Sequence, residues 1–454
     1  MDLVVIAIAL YFLVLLSIGL YLRKIKSEEG FILANRQINF PLLIATIIAT
    51  FYGASAVIGG ASIAYQIGMG VLWFMVPFYL GNIFLIFVLP KIQKENAFTL
   101  PDFLGRFYGS RVVVASSSIL AVLCLVPESI IAGGKILELL TPLSLEIGMF
   151  LIFCVIVIYT LLGGMRSVVI SDLLQFSLML LALAILVPYL ITQPTMRFEF
   201  LPAEFWNPIN YFDQETLVWF ILLFFLPITS APLYQRIFAS VKGVNIKKAI
   251  LFSVIIWIFI DAVVLLSGFF SAINYGLEDP DQAIFMLGFK LLPPALQAIF
   301  FIGLLSAIMS TADSFLHSGA SSLTHDVYRR VTKKQEVKLV KMNRILVVIL
   351  GIMSLYLALH FRQIVPALIF LLTVWISGIL IPTLSALLNF RLKESAAFAA
   401  IIVGSSTAVL WKFLPAIYPL TEIPQELHFI FEIDPLFIGL SCSLIIAVIV
   451  NKLK

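Results

Sequence analysis

The chain has 454 residues, of which 61% are hydrophobic and 12% charged, and a formal net charge of +4. A soluble chain carries roughly twice that charged fraction, so a water-soluble globular fold is excluded; apolar runs of about 20 residues fill the length instead, as in a polytopic bilayer protein. The basic residues lie in short clusters between those runs, which argues against a nucleic-acid partner, and Cys124, Cys154 and Cys442 sit inside runs with no CxxC spacing, which argues against a disulfide framework or a zinc site.

Thirteen helices and no strand are predicted, over about 2–22 (α1), 40–66 (α2), 69–91 (α3), 112–138 (α4), 145–162 (α5), 169–191 (α6), 216–235 (α7), 248–273 (α8), 294–323 (α9), 344–360 (α10), 364–389 (α11), 395–414 (α12) and 434–451 (α13). After α1 comes Arg23-Lys24-Ile25-Lys26 with no small-residue cleavage site, so α1 reads as a retained span rather than a removed signal. Within α2 stand Gly53-Ala54-Ser55 and Gly59-Gly60, and within α7 stands Pro227-Ile228-Thr229-Ser230-Ala231-Pro232. Gly and Pro interrupt the helical hydrogen-bond ladder. The freed backbone groups cost several kcal/mol in hydrocarbon unless they line a cavity or meet a ligand. Ordinary kinks are one reading. The other is a carrier built of two inverted repeats, α2–α6 over about 40–191 and α7–α11 over about 216–389, with α1, α12 and α13 peripheral in a single transmembrane domain spanning 1–454.

Ionisable residues fall inside several spans, where they are costly and usually functional. Glu128 lies midway along α4 in Val126-Pro127-Glu128-Ser129, and Lys135 lies two turns further on. Asp172 opens α6, following Ser171, and Asp261 lies midway along α8. On α9, Ala307, Ser310, Thr311, Ser314 and His317 follow the spacing of one helical face. Hydroxyls on such a face either ligate a hard cation or bond back to their own helix. For His317 a packed, neutral ring is the simpler reading. The basic run from Arg329 to Arg344 reads as a solvated loop between α9 and α10.

Charge placement predicts orientation. With the N-terminus outside and the C-terminus cytoplasmic, 24 of the 29 basic residues fall inside; Lys135, Arg197, Lys290, Arg362 and Lys412 do not. The outer loops are acidic, with Glu278, Asp279 and Asp281 before α9 and Glu422, Glu426, Glu432 and Asp434 before α13.

Three motifs in order resemble the sodium/solute symporter family across nearly the whole chain. Gly303-Leu-Leu-Ser-Ala-Ile-Met-Ser-Thr-Ala-Asp-Ser314 with Asp326-Val-Tyr328 is similar to the family's G-L-x-A-A-x-M-S-T-x-x-S and D-x-Y. Tyr159 to Gln175 is similar to Y-T-x-x-G-G-x-x-A-V-x-x-T-D-x-x-Q, and Phe98 to Gly109 to the cytoplasmic T-L-P-D-F loop. The resemblance implies a LeuT-type fold with α2–α11 as its core. It implies a sodium site from the backbone carbonyls of Ala49, Tyr52 and Ala307 and the hydroxyls of Ser310 and Thr311. It also maps Asp172, Asp313 and Ser314 onto a second site for sodium or a proton, while a gating ion pair or a helix cap remains open for Asp172. The solute wall would comprise Phe51, Ser55 and Ala56 of α2, Glu128 and Ser129 of α4, Thr229 and Ser230 of α7, and Trp375 of α11. Glu128 would meet an ammonium or a hydroxyl, or be neutral and bonded to a neighbour. The apolar Phe51, Ala56, Leu226 and Pro227 argue against a sugar. In this fold α8 is peripheral to the cavity, so Asp261 is expected to be structural.

The function so implied is sodium-coupled symport of a small organic solute by alternating access, with an amino acid, zwitterion or carboxylate favoured, by a monomer in the cell membrane. Nothing resembles a nucleophile, base and acid constellation, so no enzyme is expected. Two alternatives stand: a proton-coupled carrier of the same fold, and a transporter-like sensor working with a separate signalling partner.

Overall fold

The computed structural model describes residues 3–23, 27–193, 199, 201–332, 336–417 and 432–453. Among them every long element is a helix, and the only β pairing is an isolated bridge between Ile38 and Ser240. Among the described residues, eleven helices are long and apolar enough to cross a membrane. Lys24, Lys26, Arg197, Lys333, Lys334, Glu422, Glu426 and Lys454, which entered the charge asymmetry, lie outside the described residues.

Observed boundaries follow the predicted ones closely at α1 (Leu3–Leu22), α3 (Leu72–Lys94), α8 (Ile246–Asn274), α9 (Pro294–Ser322), α11 (Ile364–Leu388), α12 (Glu394–Ile417) and α13 (Pro435–Lys452). By contrast α10 starts early, at Glu336, because a charged turn extends an apolar helix without needing to lie in hydrocarbon. Three short helices, Glu28–Leu33, Leu100–Tyr108 and Ala283–Leu291, were not expected; each joins two longer elements.

The predicted interruptions are real breaks. Phe40–Phe51 (α2a) ends where Tyr52 leaves the helical region at φ −94°, ψ 61°, and the chain resumes with a π-turn, Ser55–Gly59, leading into Gly60–Ile67 (α2b). Gln214–Thr229 (α7a) and Ala231–Ala239 (α7b) meet at Ser230, which is extended (φ −76°, ψ 109°). Pro232, in the first turn of α7b, has no N–H to continue the ladder. Read as continuous, α4 is also broken: Ser110–Leu123 (α4a) and Pro127–Leu140 (α4b) are separated by Val126 at φ −130°, ψ 47°. Proline disfavours helical geometry in the residue before it, and the freed Val126 N–H donates to Ser354 Oγ of α10 at 3.0 Å.

As for α5 and α6, they are the arms of one 48-residue helix, Leu145–Thr192. At 1.5 Å per residue it would run about 70 Å straight, more than twice the bilayer core. Gly164, at φ +59°, divides it; a Cβ there would lie 2.8 Å from the Phe31 carbonyl oxygen, so only glycine fits. Asp172 therefore sits two turns inside the second arm and does not cap its start.

Candidate functional site

The central contact joins the broken α2 to α9. Gly53 lets them meet: a Cβ on it would lie 2.3 Å from Thr311 Oγ1 and 2.6 Å from Thr311 Cβ. Because the chain leaves the helix at Tyr52, the Ala49 carbonyl turns to side chains of α9. Ser310 Oγ donates to it at 2.9 Å and Thr311 Oγ1 at 3.2 Å, and Ser310 Oγ is also 3.0 Å from the Ala307 carbonyl. Four of the five predicted sodium-ligating residues thus converge: Ala49, Ala307, Ser310 and Thr311. Tyr52 stands at the break beside them, and its phenol donates to Asp261 of α8.

About one turn further along α9 lies a buried polar cluster. Asp172 Oδ2 receives a hydrogen bond from Thr46 of α2a and pairs with Arg236 Nη2 of α7b at 3.1 Å. Arg236 also donates to Ser314 Oγ at 2.6 Å, to Thr46 Oγ1 at 2.8 Å and to the Pro232 carbonyl at 3.2 Å. Asp313 takes Ser314 Oγ at 3.2 Å and Ser171 Oγ at 3.5 Å. Sequence reasoning missed Arg236, which stands one residue past the predicted end of α7; it is fully buried in α7b. The gating-pair reading of Asp172 therefore has its partner, and the cap reading does not survive.

A cavity opens between the α2 break, α3, α4, α7a, α8 and α11, with Thr311 on its wall. Of the predicted solute contacts, Phe51, Ser55, Ala56 and Glu128 line it. The other four are placed elsewhere. Ser129 donates to Glu128 Oε1 at 3.2 Å, supporting the carboxylate rather than facing the space. Thr229 Oγ1 bonds back to the Phe225 carbonyl, and Ser230 Oγ is buried off the wall at the α7 break. Trp375, completely buried, donates its indole N–H to the Thr229 carbonyl at 3.2 Å, tying α11 to the end of α7a. The expectation for α8 also needs correction: Asp261 reaches the wall and accepts from both Tyr52 and Tyr79. A carboxylate on an otherwise apolar helix was the available signal.

Two polar ties, one ionic and one of hydroxyl hydrogen bonds, flank this region. Lys135 of α4b bonds Asp281 at 2.6 Å and Asp279 at 2.7 Å in the acidic loop before α9. At the far end of α9, Asp326 Oδ2 accepts from Thr99, Ser117 and Ser322, joining the T-L-P-D-F segment to the D-x-Y segment. His317 is buried, with Ser321 Oγ 3.4 Å from its Nε2 and the Phe31 ring 5.6 Å away, as a packed ring would be.

Two broken spans, a hydroxyl-bearing partner helix and a cavity beside the breaks are the marks of a secondary transporter of the LeuT-type fold. Solved structures share this fold: a Na+-coupled sialic acid symporter in a substrate-bound outward-open state (TM-score 0.72, 16% identity, 99% of this chain and 98% of that one), and MhsT in complex with L-phenylalanine (TM-score 0.53, 16% identity, 90% and 97%). Residues 31–404 match the sodium:solute symporter family, and the chain belongs to it. Among its relatives are sodium/proline symporter 2 of Staphylococcus saprophyticus (26% identical over 479 positions, 98% of this chain and 92% of the relative) and the sodium/proline symporter of Staphylococcus aureus (25% over 481, 99% and 92%). The protein is a multi-pass, sodium-coupled solute symporter and not an enzyme.

Proposed function

We propose that sodium binds between the Ala49, Tyr52 and Ala307 carbonyls and the Ser310 and Thr311 hydroxyls, and drives import of a small zwitterionic solute of the proline type through the adjoining cavity. The observation that carries this reading is the pair of neighbouring hydroxyls on α9 aimed at one carbonyl freed by the α2 break. Sodium there replaces the hydroxyl-to-carbonyl hydrogen bonds with oxygen ligation, pinning α2 to α9 and fixing the wall that the solute meets. The relatives' named solute and the apolar cavity support an amino acid over a sugar.

Thirteen crossings follow if Gly164 separates two spans and 40–67 is counted apart from α3. The repeats are then 40–191 and 216–389, paired by their breaks at Tyr52 and Ser230. The basic residues favour an outside N-terminus and a cytoplasmic C-terminus in the cell membrane, and the complete site within one chain favours a working monomer.

For Asp172, Asp313 and Ser314 the buried guanidinium of Arg236 favours a count of one sodium. It already touches Asp172 and Ser314, and a second cation would have to displace it. With a tenfold sodium ratio (about 1.4 kcal/mol) and 100 mV (about 2.3 kcal/mol per charge), one ion sustains roughly 500-fold accumulation. A proton on Asp313, whose partners are hydroxyls, is the second reading.

Replacing Ser310 and Thr311 by alanine tests the main reading. Sodium-dependent proline uptake in proteoliposomes should disappear, and ²²Na binding with it. Unchanged ²²Na affinity in that double variant refutes the site; uptake indifferent to sodium but lost at high pH would install the proton reading instead.

A further inference from the structure

The cavity wall holds two carboxylates, Glu128 and Asp261, and among the described residues no lysine, arginine or histidine lines it. Both are buried, at 6% and 8% exposure. Their surroundings differ. Asp261 is held from two sides by the hydroxyls of Tyr52 and Tyr79, so its charge has resident donors. Glu128 has one resident donor, Ser129 on Oε1, while its Oε2 is buried without any partner. An unpartnered carboxylate oxygen at such a site costs free energy that a cationic ligand recovers. The rest of the wall suits the same ligand. Phe51, Phe78 and the neighbouring Trp257 cluster with ring centroids 4.9–6.2 Å apart, and aromatic faces attract cations.

Resting on the reading of this cavity as the solute site, we infer that the recognised group of the solute is a positively charged nitrogen on a compact apolar body, received by the Glu128 carboxylate. Asp261, fixed by its two tyrosines, excludes solutes whose only charge is negative. A free carboxylate in this space would face two further carboxyl groups and no basic side chain, with sodium as its sole counter-charge, an arrangement that costs affinity. A carboxylate on the solute is therefore tolerated, not required.

Purified full-length protein in sodium buffer is titrated calorimetrically with three probes of nearly one shape: proline, pyrrolidine (which lacks the carboxylate) and cyclopentanecarboxylate (which lacks the nitrogen). Pyrrolidine should bind within about tenfold of proline, and cyclopentanecarboxylate at least about tenfold more weakly than pyrrolidine. Glu128→Gln should weaken pyrrolidine binding about tenfold or more, and Glu128→Asp should restore part of it. Asp261→Asn should narrow the gap between pyrrolidine and cyclopentanecarboxylate. Equal or tighter binding of cyclopentanecarboxylate, or no binding of pyrrolidine, overturns the inference from the unmodified protein alone, whether or not the variants fold. Parallel ²²Na binding separates the levels: if sodium still binds through Ser310 and Thr311 while the acid outcompetes the amine, only the solute chemistry is wrong.

Discussion

Gly53→Ala places the smallest possible wedge into the α2–α9 contact. Gly53 is not at positive φ, so alanine meets no backbone penalty, and the effect is steric alone. The new Cβ would stand 2.6 Å from Thr311 Cβ, 0.8 Å short of an ordinary 3.4 Å contact. Rotating the threonine cannot relieve this, because its Cβ is fixed to the α9 backbone; the helices must part. Moving them by that amount would stretch the 3.2 Å Thr311–Ala49 hydrogen bond to about 4 Å, beyond bonding range. Overpacking of this kind costs about 1–3 kcal/mol, which falls on sodium binding as a roughly 5- to 150-fold loss of affinity. The assay is the sodium concentration giving half-maximal solute uptake in proteoliposomes, beside ²²Na binding to the purified protein. Gly276→Ala is the matched control, since a Cβ there meets nothing within 4 Å. Wild-type sodium dependence in a folded Gly53→Ala protein would refute the close approach of α2 and α9 as the basis of the ion site.

Arg236→Met leaves Asp172 buried and unpaired, and should destabilise the protein by about 3–5 kcal/mol. Adding Asp172→Asn should recover part of that loss, which thermal unfolding of the four proteins in a double-mutant cycle would read. Trp375→Phe removes the donor to the Thr229 carbonyl without touching the cavity wall, so maximal transport rate should fall while the KM for solute stays within about twofold, a buried hydrogen bond being worth about 1–3 kcal/mol when its partner is left unsatisfied. A large rise in KM would instead return Trp375 to the solute wall.

Much of the architecture was legible because bilayer helices announce themselves by apolar length, and because Gly53 and the Pro227–Pro232 segment break a ladder that hydrocarbon cannot repair. The hydroxyls of Ser310 and Thr311 were legible from their helical spacing and the motif around them. The α4 break was written in Pro127 but is weaker than a Gly-rich or doubly proline-marked stretch, since membrane helices often carry a single proline. The partner of Asp172 was not legible: Arg236 is 64 residues away in sequence, and a lone arginine beside a polar segment looks the same whether it faces water or a carboxylate. That Asp261, paired as expected, also reaches the cavity wall was not legible for a related reason. Its role depends on Tyr52 and Tyr79 converging from two other helices, which periodicity within α8 cannot report. Ser129, Thr229, Ser230 and Trp375 lie near the right depth, but depth alone does not decide which way a side chain turns.

The carbonyl of Ala49 that draws in both α9 hydroxyls is a main-chain atom, and every amino acid brings the same one. Mutation can exchange the alanine without removing the oxygen, provided the unwound geometry survives and the newcomer is small. The cavity wall a few ångströms away has no such protection, because Glu128, Asp261 and their tyrosines act through their side chains. Drift that spares the Ser310 and Thr311 hydroxyls should therefore be able to reassign the cargo while the ion that drives it keeps its ligands.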